Sequence, residues 1–154
     1  MEVKIKQIPD EEPEILEIRY HRLTDEIGEI ISFVKSGQGQ LTARKDGRDM
    51  EVPVVDVFYA ESVDNRVFLY TAKESFGVRM KLYELEEKLR GRSFIRVQKS
   101  TLLNLMKIEG IKPALGGRYS AMLKNGEEIL ISRKYVTDLK NALINPGPKA
   151  GGKA

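Results

Sequence analysis

The sequence predicts a mainly β domain of antiparallel sheets with short helices, preceded by a small β-β-α appendage. Three observations carry this. Short apolar segments recur between turn dipeptides, notably Asp46-Gly47, Asp64-Asn65 and Asn125-Gly126. Helical spacing is confined to a few short stretches. Residues 94–135 alternate basic and apolar residues as a strand does, not as a helix does.

The elements follow in order. Val3 and Ile5 alternate with Lys4 and Lys6 in an imperfect edge-strand pattern that Pro9 and Pro13 interrupt. Ile15, Leu16, Ile18 and Tyr20 suggest a second strand. Thr24 can cap a helix that carries Asp25 and Glu26 in its first turn, Ile27, Ile30, Ile31 and Val34 at helical spacing, and Gly37 at its end. Residues 1–36 thus read as an appendage, and residues 36–40 (SGQGQ) as a linker. Beyond it, 41–45 and 49–53 flank Asp46-Gly47. Residues 54–61 read as a buried strand, 66–71 as its return past Asp64-Asn65, and 76–80 as a further short strand. Leu82, Leu85 and Leu89 share a helix face that Gly91 ends. Residues 94–98 are strand-like, whereas Leu102, Leu103, Leu105 and Met106 fit strand or helix equally. Gly110 to Pro113 and Gly116-Gly117 read as breaks. Residues 118–123 and 128–131 flank Asn125-Gly126, and Tyr135, Val136, Leu139 and Leu143 form one face of a final helix. Residues 145–154 have no apolar anchor and are expected to be a disordered tail.

At 154 residues the chain is long enough for one domain with a core. No apolar run is long enough to span a membrane, and the acidic N-terminus lacks the character of a signal peptide, so a cytoplasmic location is expected. The absence of cysteine removes disulfides and thiolate chemistry. The net charge of +3 conceals an asymmetry. Residues 1–87 carry 12 Lys and Arg against 19 Asp and Glu, and residues 88–154 carry 14 against 4. A local positive excess of this size suggests a polyanionic partner, nucleic acid before a membrane surface.

An enzyme is not expected. His21 is the only histidine and lacks a nucleophile or orienting partner in any recognisable motif. No phosphate-binding glycine motif and no metal-ligand spacing is present, so neither cofactor nor metal is implied. Glu84, Glu86 and Glu87 read as a solvated helix face. By contrast Arg96, Lys99, Lys107, Arg118, Arg133 and Lys134 cluster among short strands and turns. Arginine and lysine at loop tips reach phosphates, and arginine also reads guanine. Each residue alone is as well explained as a solvent-facing charge; the joint pattern points to nucleic acid. A helix-turn-helix over 98–112 conflicts with the β character of residues 94–97, and few aromatics interleave with the basic run as single-strand binders require.

These residues resemble the LytTR family. FIRVQKSTLLNLMKIEGI (94–111) is similar to its central motif, and LKNGEEILISRKYVTDLKNAL (123–143) to its ending, a hairpin followed by Ser-Arg-x-Tyr and a short helix. DVFYAESVDNRVFLYT (56–71) and LYELEEKL (82–89) resemble two earlier blocks. The likeness spans about 40–144, with Gln98 standing where the family usually has histidine. It implies a bacterial, response-regulator-like transcription factor domain with elongated sheets, whose loops enter successive major grooves of double-stranded DNA. The implied DNA-binding residues are Asn65, Arg66, Arg96, Gln98, Lys99, Ser100, Lys107, Arg133 and Lys134. Asn65 or Arg66, Lys99 and Arg133 are expected to read bases, Arg96, Lys107 and Lys134 to contact phosphates or local acids, and Asn104 to be structural. About 36 residues precede the motif region, too few for a receiver domain, which resembles the stand-alone type restrained by a small membrane protein. A homodimer on DNA is expected, with residues 1–36 serving dimerisation or restraint. The rival readings are a protein-interaction module with an incidental basic face and an RNA-binding β domain.

Overall fold

The computed structural model describes residues 1–144, so the predicted tail at 145–154 lies outside the described residues. Thirteen elements follow one another. They are α1 (Asp25–Gly37), β1 (Gln40–Lys45), β2 (Arg48–Pro53), β3 (Tyr59–Val63), β4 (Arg66–Tyr70), β5 (Ser75–Val78), α2 (Leu82–Lys88), β6 (Phe94–Gln98), β7 (Thr101–Asn104), β8 (Ile108–Pro113), β9 (Tyr119–Leu123), β10 (Glu128–Ile131) and α3 (Val136–Ile144). Seven strands form one sheet in the order β2-β1-β5-β4-β3-β7-β6, and three form a second in the order β10-β9-β8. All pairings are antiparallel.

Two cores lie on opposite faces of the large sheet. Ala60 and Leu102 point to one, with Leu41, Leu69, Leu82, Leu85 and Leu89. Tyr59, Val97 and Leu103 point to the other, packed against Ala121, Leu123, Ile131 and Leu139 of the small sheet and α3. Successive strand residues face opposite ways, so a strand buried on both faces reads as an unbroken apolar run. This explains why Leu102-Leu103 carries no strand signature. The stripe Leu82, Leu85, Leu89 is buried as spaced, and Glu84 Oε1 accepts the Lys81 amide at 2.8 Å to start α2.

Two expected two-residue turns form as the sequence reads. Asp46-Gly47 and Asp64-Asn65 all have positive φ, as the primed hairpin turns demand. The Asn125-Gly126 turn is built differently. Only Gly126 has positive φ, and the Asn125 side chain accepts the Glu127 amide at 3.1 Å, so the loop is wider.

Some sequence readings need correction. Residues 54–61 are not one strand: Val54–Asp56 is a 3₁₀ turn after Pro53, closed by the Val57 amide on the Val54 carbonyl, and β3 starts at Tyr59. Burial of Val54 and Val57 satisfies the apolar pattern in either conformation. Gly110 to Pro113 is not a break but belongs to β8, the edge of the small sheet. There Gly110 sits at a register irregularity and Pro113 ends the strand, both positions an edge tolerates.

The β-β-α appendage is only partly present. Helix α1 forms with the Ile27 amide on Thr24 Oγ1 (3.2 Å) and Lys35 paired with Asp56 (3.1 Å). The two strands predicted before it do not form: residues 1–23 contain a turn at Pro9–Glu12 and no ladder. Val3, Ile5, Ile15 and Leu16 are exposed, with no apolar surface against which to pair. An isolated two-stranded ribbon is marginal without such a face.

The sheets are fastened at one end by tyrosines. Tyr59 stacks on Tyr70 with ring centroids 4.5 Å apart, and its hydroxyl donates to Glu127 at 3.2 Å. Burial, followed by the Glu127 charge, pushes the Tyr59 phenol well above its ordinary range; burial and Glu61 raise Tyr70. A phenol with a raised folded-state pKa contributes stability below its unfolded value of about 10, and that contribution is lost as pH rises past it. Chemical denaturation followed from about pH 9 to 11 should therefore show stability falling, and Tyr59→Phe should flatten the fall.

Asn104 is 3% exposed. Its Nδ2 donates to the Val57 carbonyl at 2.9 Å and its Oδ1 accepts the Met106 amide at 3.0 Å, which opens the 3₁₀ turn Leu105–Lys107. Asn104→Ala should cost about 1–3 kcal/mol in urea denaturation, because both backbone groups lose their partner.

Candidate nucleic-acid interface

Strand register decides which loops meet. Tyr59 pairs with Leu103 and Glu61 with Thr101, so the β3–β4 turn at Asp64-Asn65 and the β6–β7 turn at Lys99-Ser100 lie at the same end of the large sheet. The Ser62 amide bonds the Ser100 carbonyl at 2.9 Å between them. At the neighbouring edge the Ser132 amide bonds the Val97 carbonyl at 2.9 Å, and Gln98 Nε2 donates to the Leu130 carbonyl at 2.5 Å. These bonds dock the end of β10 onto β6, so that Arg133 follows directly on a residue bonded to Val97. Asn65, Arg66, Gln98, Lys99 and Ser100 thereby share one margin of the large sheet, with Arg133 and Lys134 following the docked Ser132.

A pairing irregularity shapes this margin. Arg96 faces Leu102 but Gln98 faces Thr101, which leaves Val97 as an extra residue in β6. Such a bulge bends the strand and redirects the side chains beyond it. Here Val97 is fully buried in the second core while Gln98 reaches the small sheet. Asn65, Arg66, Lys99 and Arg133 are exposed. Among the described residues Arg66, Lys99 and Arg133 have no salt-bridge partner, whereas Lys134 lies over the Tyr135 ring at 5.5 Å. Cations without internal partners on a rigid edge are available to an external anion.

Of the residues expected on phosphates or local acids, Arg96 takes the second alternative and Lys107 lies elsewhere. Arg96 is turned inward: its Nη1 donates to the Lys99 carbonyl at 2.6 Å and its Nη2 to Glu86 of α2 at 2.7 Å. Its Nε is buried without a partner, so the guanidinium is held by these two bonds alone. Arg96 therefore braces the turn that carries Lys99. Lys107 lies at the opposite end, where its backbone carbonyl accepts the Lys124 amide and its ammonium sits 5.0 Å above the Phe58 ring. Burial pulls its pKa below the ordinary lysine range, with Asp56 opposing. The Asn125-Gly126 turn also points to that far end, since Asn125 Nδ2 donates to the Ala72 carbonyl. The bracing by Arg96 gave no signal in sequence, because Glu86 and Arg96 meet only in the fold.

The model of the LytTr DNA-binding domain matches residues 47–144. The chain belongs to the LytTR family. Its fold agrees with a solved LytTr DNA-binding domain from Bacillus cereus, with a TM-score of 0.64 and 25% identity over 68% of this chain and 95% of that one. Sensory transduction protein LytT of Bacillus subtilis (strain 168) is 30% identical over 125 residues, covering 81% of this chain and 52% of that protein. Transcriptional regulatory protein YpdB of Escherichia coli (strain K12) is 33% identical over 100 residues, 64% of this chain and 41% of its own length. The chain thus spans about half or less of these relatives. The mainly β architecture expected of a LytTR domain is the one observed, and its family is a DNA-binding one.

If the brace positions Lys99, loosening it should be visible without any ligand. Arg96→Ala should raise amide hydrogen exchange at Lys99, Ser100 and Thr101 while leaving Asp64–Arg66 unchanged, as measured by exchange mass spectrometry.

Proposed function

We propose that this LytTR domain binds double-stranded DNA sequence-specifically through the loops at 64–66, 98–100 and 132–134, laid into the major groove, and that the protein regulates transcription by this means. The observation that carries the reading is the gathering of exposed Arg66, Lys99 and Arg133, unpaired among the described residues, on one margin built from two interlocked sheets. Two-stranded hairpin tips fit a major groove of about 12 Å, and arginine offers guanine a bidentate donor pair. Asn65 or Arg66, Lys99 and Arg133 read bases. Ser100 and Lys134 hold phosphates, and Gln98, tied to the Leu130 carbonyl, positions the turn. Arg96 acts through the Lys99 carbonyl. The names of the relatives, a sensory transduction protein and a transcriptional regulatory protein, support regulation as the context.

Residues 1–36 serve a protein contact in this reading, either a homodimer on repeated DNA sites or a small membrane protein that restrains a cytoplasmic regulator. Exposed Val3, Ile5, Ile15, Leu16 and Phe33 favour it. Among the described residues no helix is long and apolar enough to cross a membrane.

Mobility shifts with duplex from the region upstream of the protein's own gene, with its separated strands and with RNA of the same sequence test the reading. Duplex should be retained preferentially; preference for a single strand or RNA would replace it with the RNA-binding alternative. Arg133→Ala should cost roughly 1–3 kcal/mol and relax selection at one base position. An equal loss on every sequence would instead make Arg133 a phosphate contact.

A further inference from the structure

We infer that the β8–β9 loop, residues 114–118, is a fourth DNA-contacting element, with Arg118 on a backbone phosphate and Leu115 making an apolar contact beside it. The inference rests on the DNA-binding reading above but uses residues outside its three loops. Register places the loop at the same margin: Pro113 pairs with Tyr119, and Tyr119 with Ile131, the residue before Ser132-Arg133. The loop also lies directly under Arg133. A Cβ built on Gly117 would stand 3.0 Å from Arg133 Cδ and 3.4 Å from its Cγ, so the stem of Arg133 rests on the bare backbone of this glycine.

The loop is closed and shaped rather than slack. The Ala114 amide bonds the Arg118 carbonyl at 2.9 Å, and Gly116 and Gly117 take φ of +74° and +78°, which lets the chain reverse in five residues. Arg118 Nε donates to the Leu115 carbonyl at 2.9 Å, which fixes the guanidinium to its own loop. Its terminal Nη groups have no partner among the described residues. Residues 110–126 contain Lys112, Arg118 and Lys124 and no acid, and among the described residues Arg118 has no salt-bridge partner.

Leu115 is 85% exposed. A single exposed leucine needs no explanation by itself. Held at the tip of an arginine-bearing loop next to Arg133, it has the character of the apolar side chains that meet thymine methyls or sugar faces in DNA complexes. Arg118 with both terminal NH2 groups open suits a phosphate, which positions a protein without reading sequence. The loop would extend the contact from the major groove across the adjoining backbone.

The test uses the full chain and a duplex selected by the wild-type protein from a random-sequence library, with an unselected duplex as comparison. Fluorescence anisotropy is read across a salt series. Arg118→Ala should weaken binding to both duplexes alike and reduce the slope of log affinity against log salt by about one. Arg118→Lys should restore most of the slope, and Leu115→Ser should weaken binding without changing it. An Arg118→Ala protein that melts like wild type with unchanged affinity and slope overturns the proposal, while Arg133→Ala still altering base preference leaves the three-loop reading standing. Failure of the wild type to bind or select any duplex removes both.

Discussion

The antiparallel pairing of β3 with β7 is the constraint on which the rest of the molecule depends. Each strand is buried on both sides, Ala60 and Leu102 toward the α2 core and Tyr59 and Leu103 toward the small sheet. A slip of one residue would send each of these side chains to the wrong core, so the register is strongly fixed. The same register sets the Asp64-Asn65 and Lys99-Ser100 turns side by side. Stability and the geometry of the candidate interface are therefore one property of one strand pair.

From that pair the contact margin is assembled by a few polar bonds. Ser132 to Val97 and Gln98 to Leu130 lock the second sheet onto the edge of the first. Arg96 ties the Lys99 turn to Glu86 of α2. None of these needs a ligand, so the loops that carry the cations are held in place beforehand and the backbone costs little to order on binding. Arg96, which braces a loop, is distinct from Lys99 and Arg133, which are left open, although all three lie in one basic stretch. Burial and partners separate the roles; residue type does not.

Local features were legible in the sequence and non-local ones were not. Asp46-Gly47, Asp64-Asn65 and the Leu82, Leu85, Leu89 stripe formed as read, because turn chemistry and helical spacing act within a few residues. The family likeness, carried by the central motif and the Ser-Arg-x-Tyr ending, pointed to the LytTR family, and the family match agrees. Gly110 and Pro113 misled because an edge strand tolerates what a central strand rejects. The strands expected at the N-terminus failed for the opposite reason: Val3, Ile5, Ile15 and Leu16 alternate adequately, but a strand requires a partner surface, which alternation does not supply. The inward turn of Arg96 and the distance of Lys107 from the contact margin depend on contacts far apart in sequence, to Glu86 and Phe58. The role of Gly117 beneath Arg133 likewise emerges only when β8, β9 and β10 are set in register.

We propose that one margin of the molecule, and not its basic surface at large, meets DNA. Amide chemical-shift mapping by NMR during titration with a selected duplex tests it most directly. The largest shifts should fall at residues 64–66, 98–100 and 132–134, with the Asn125-Gly126 turn and Lys107 at the far end little changed. Shifts centred on Lys107, Lys124 and Asn125, with the three loops undisturbed, would contradict it.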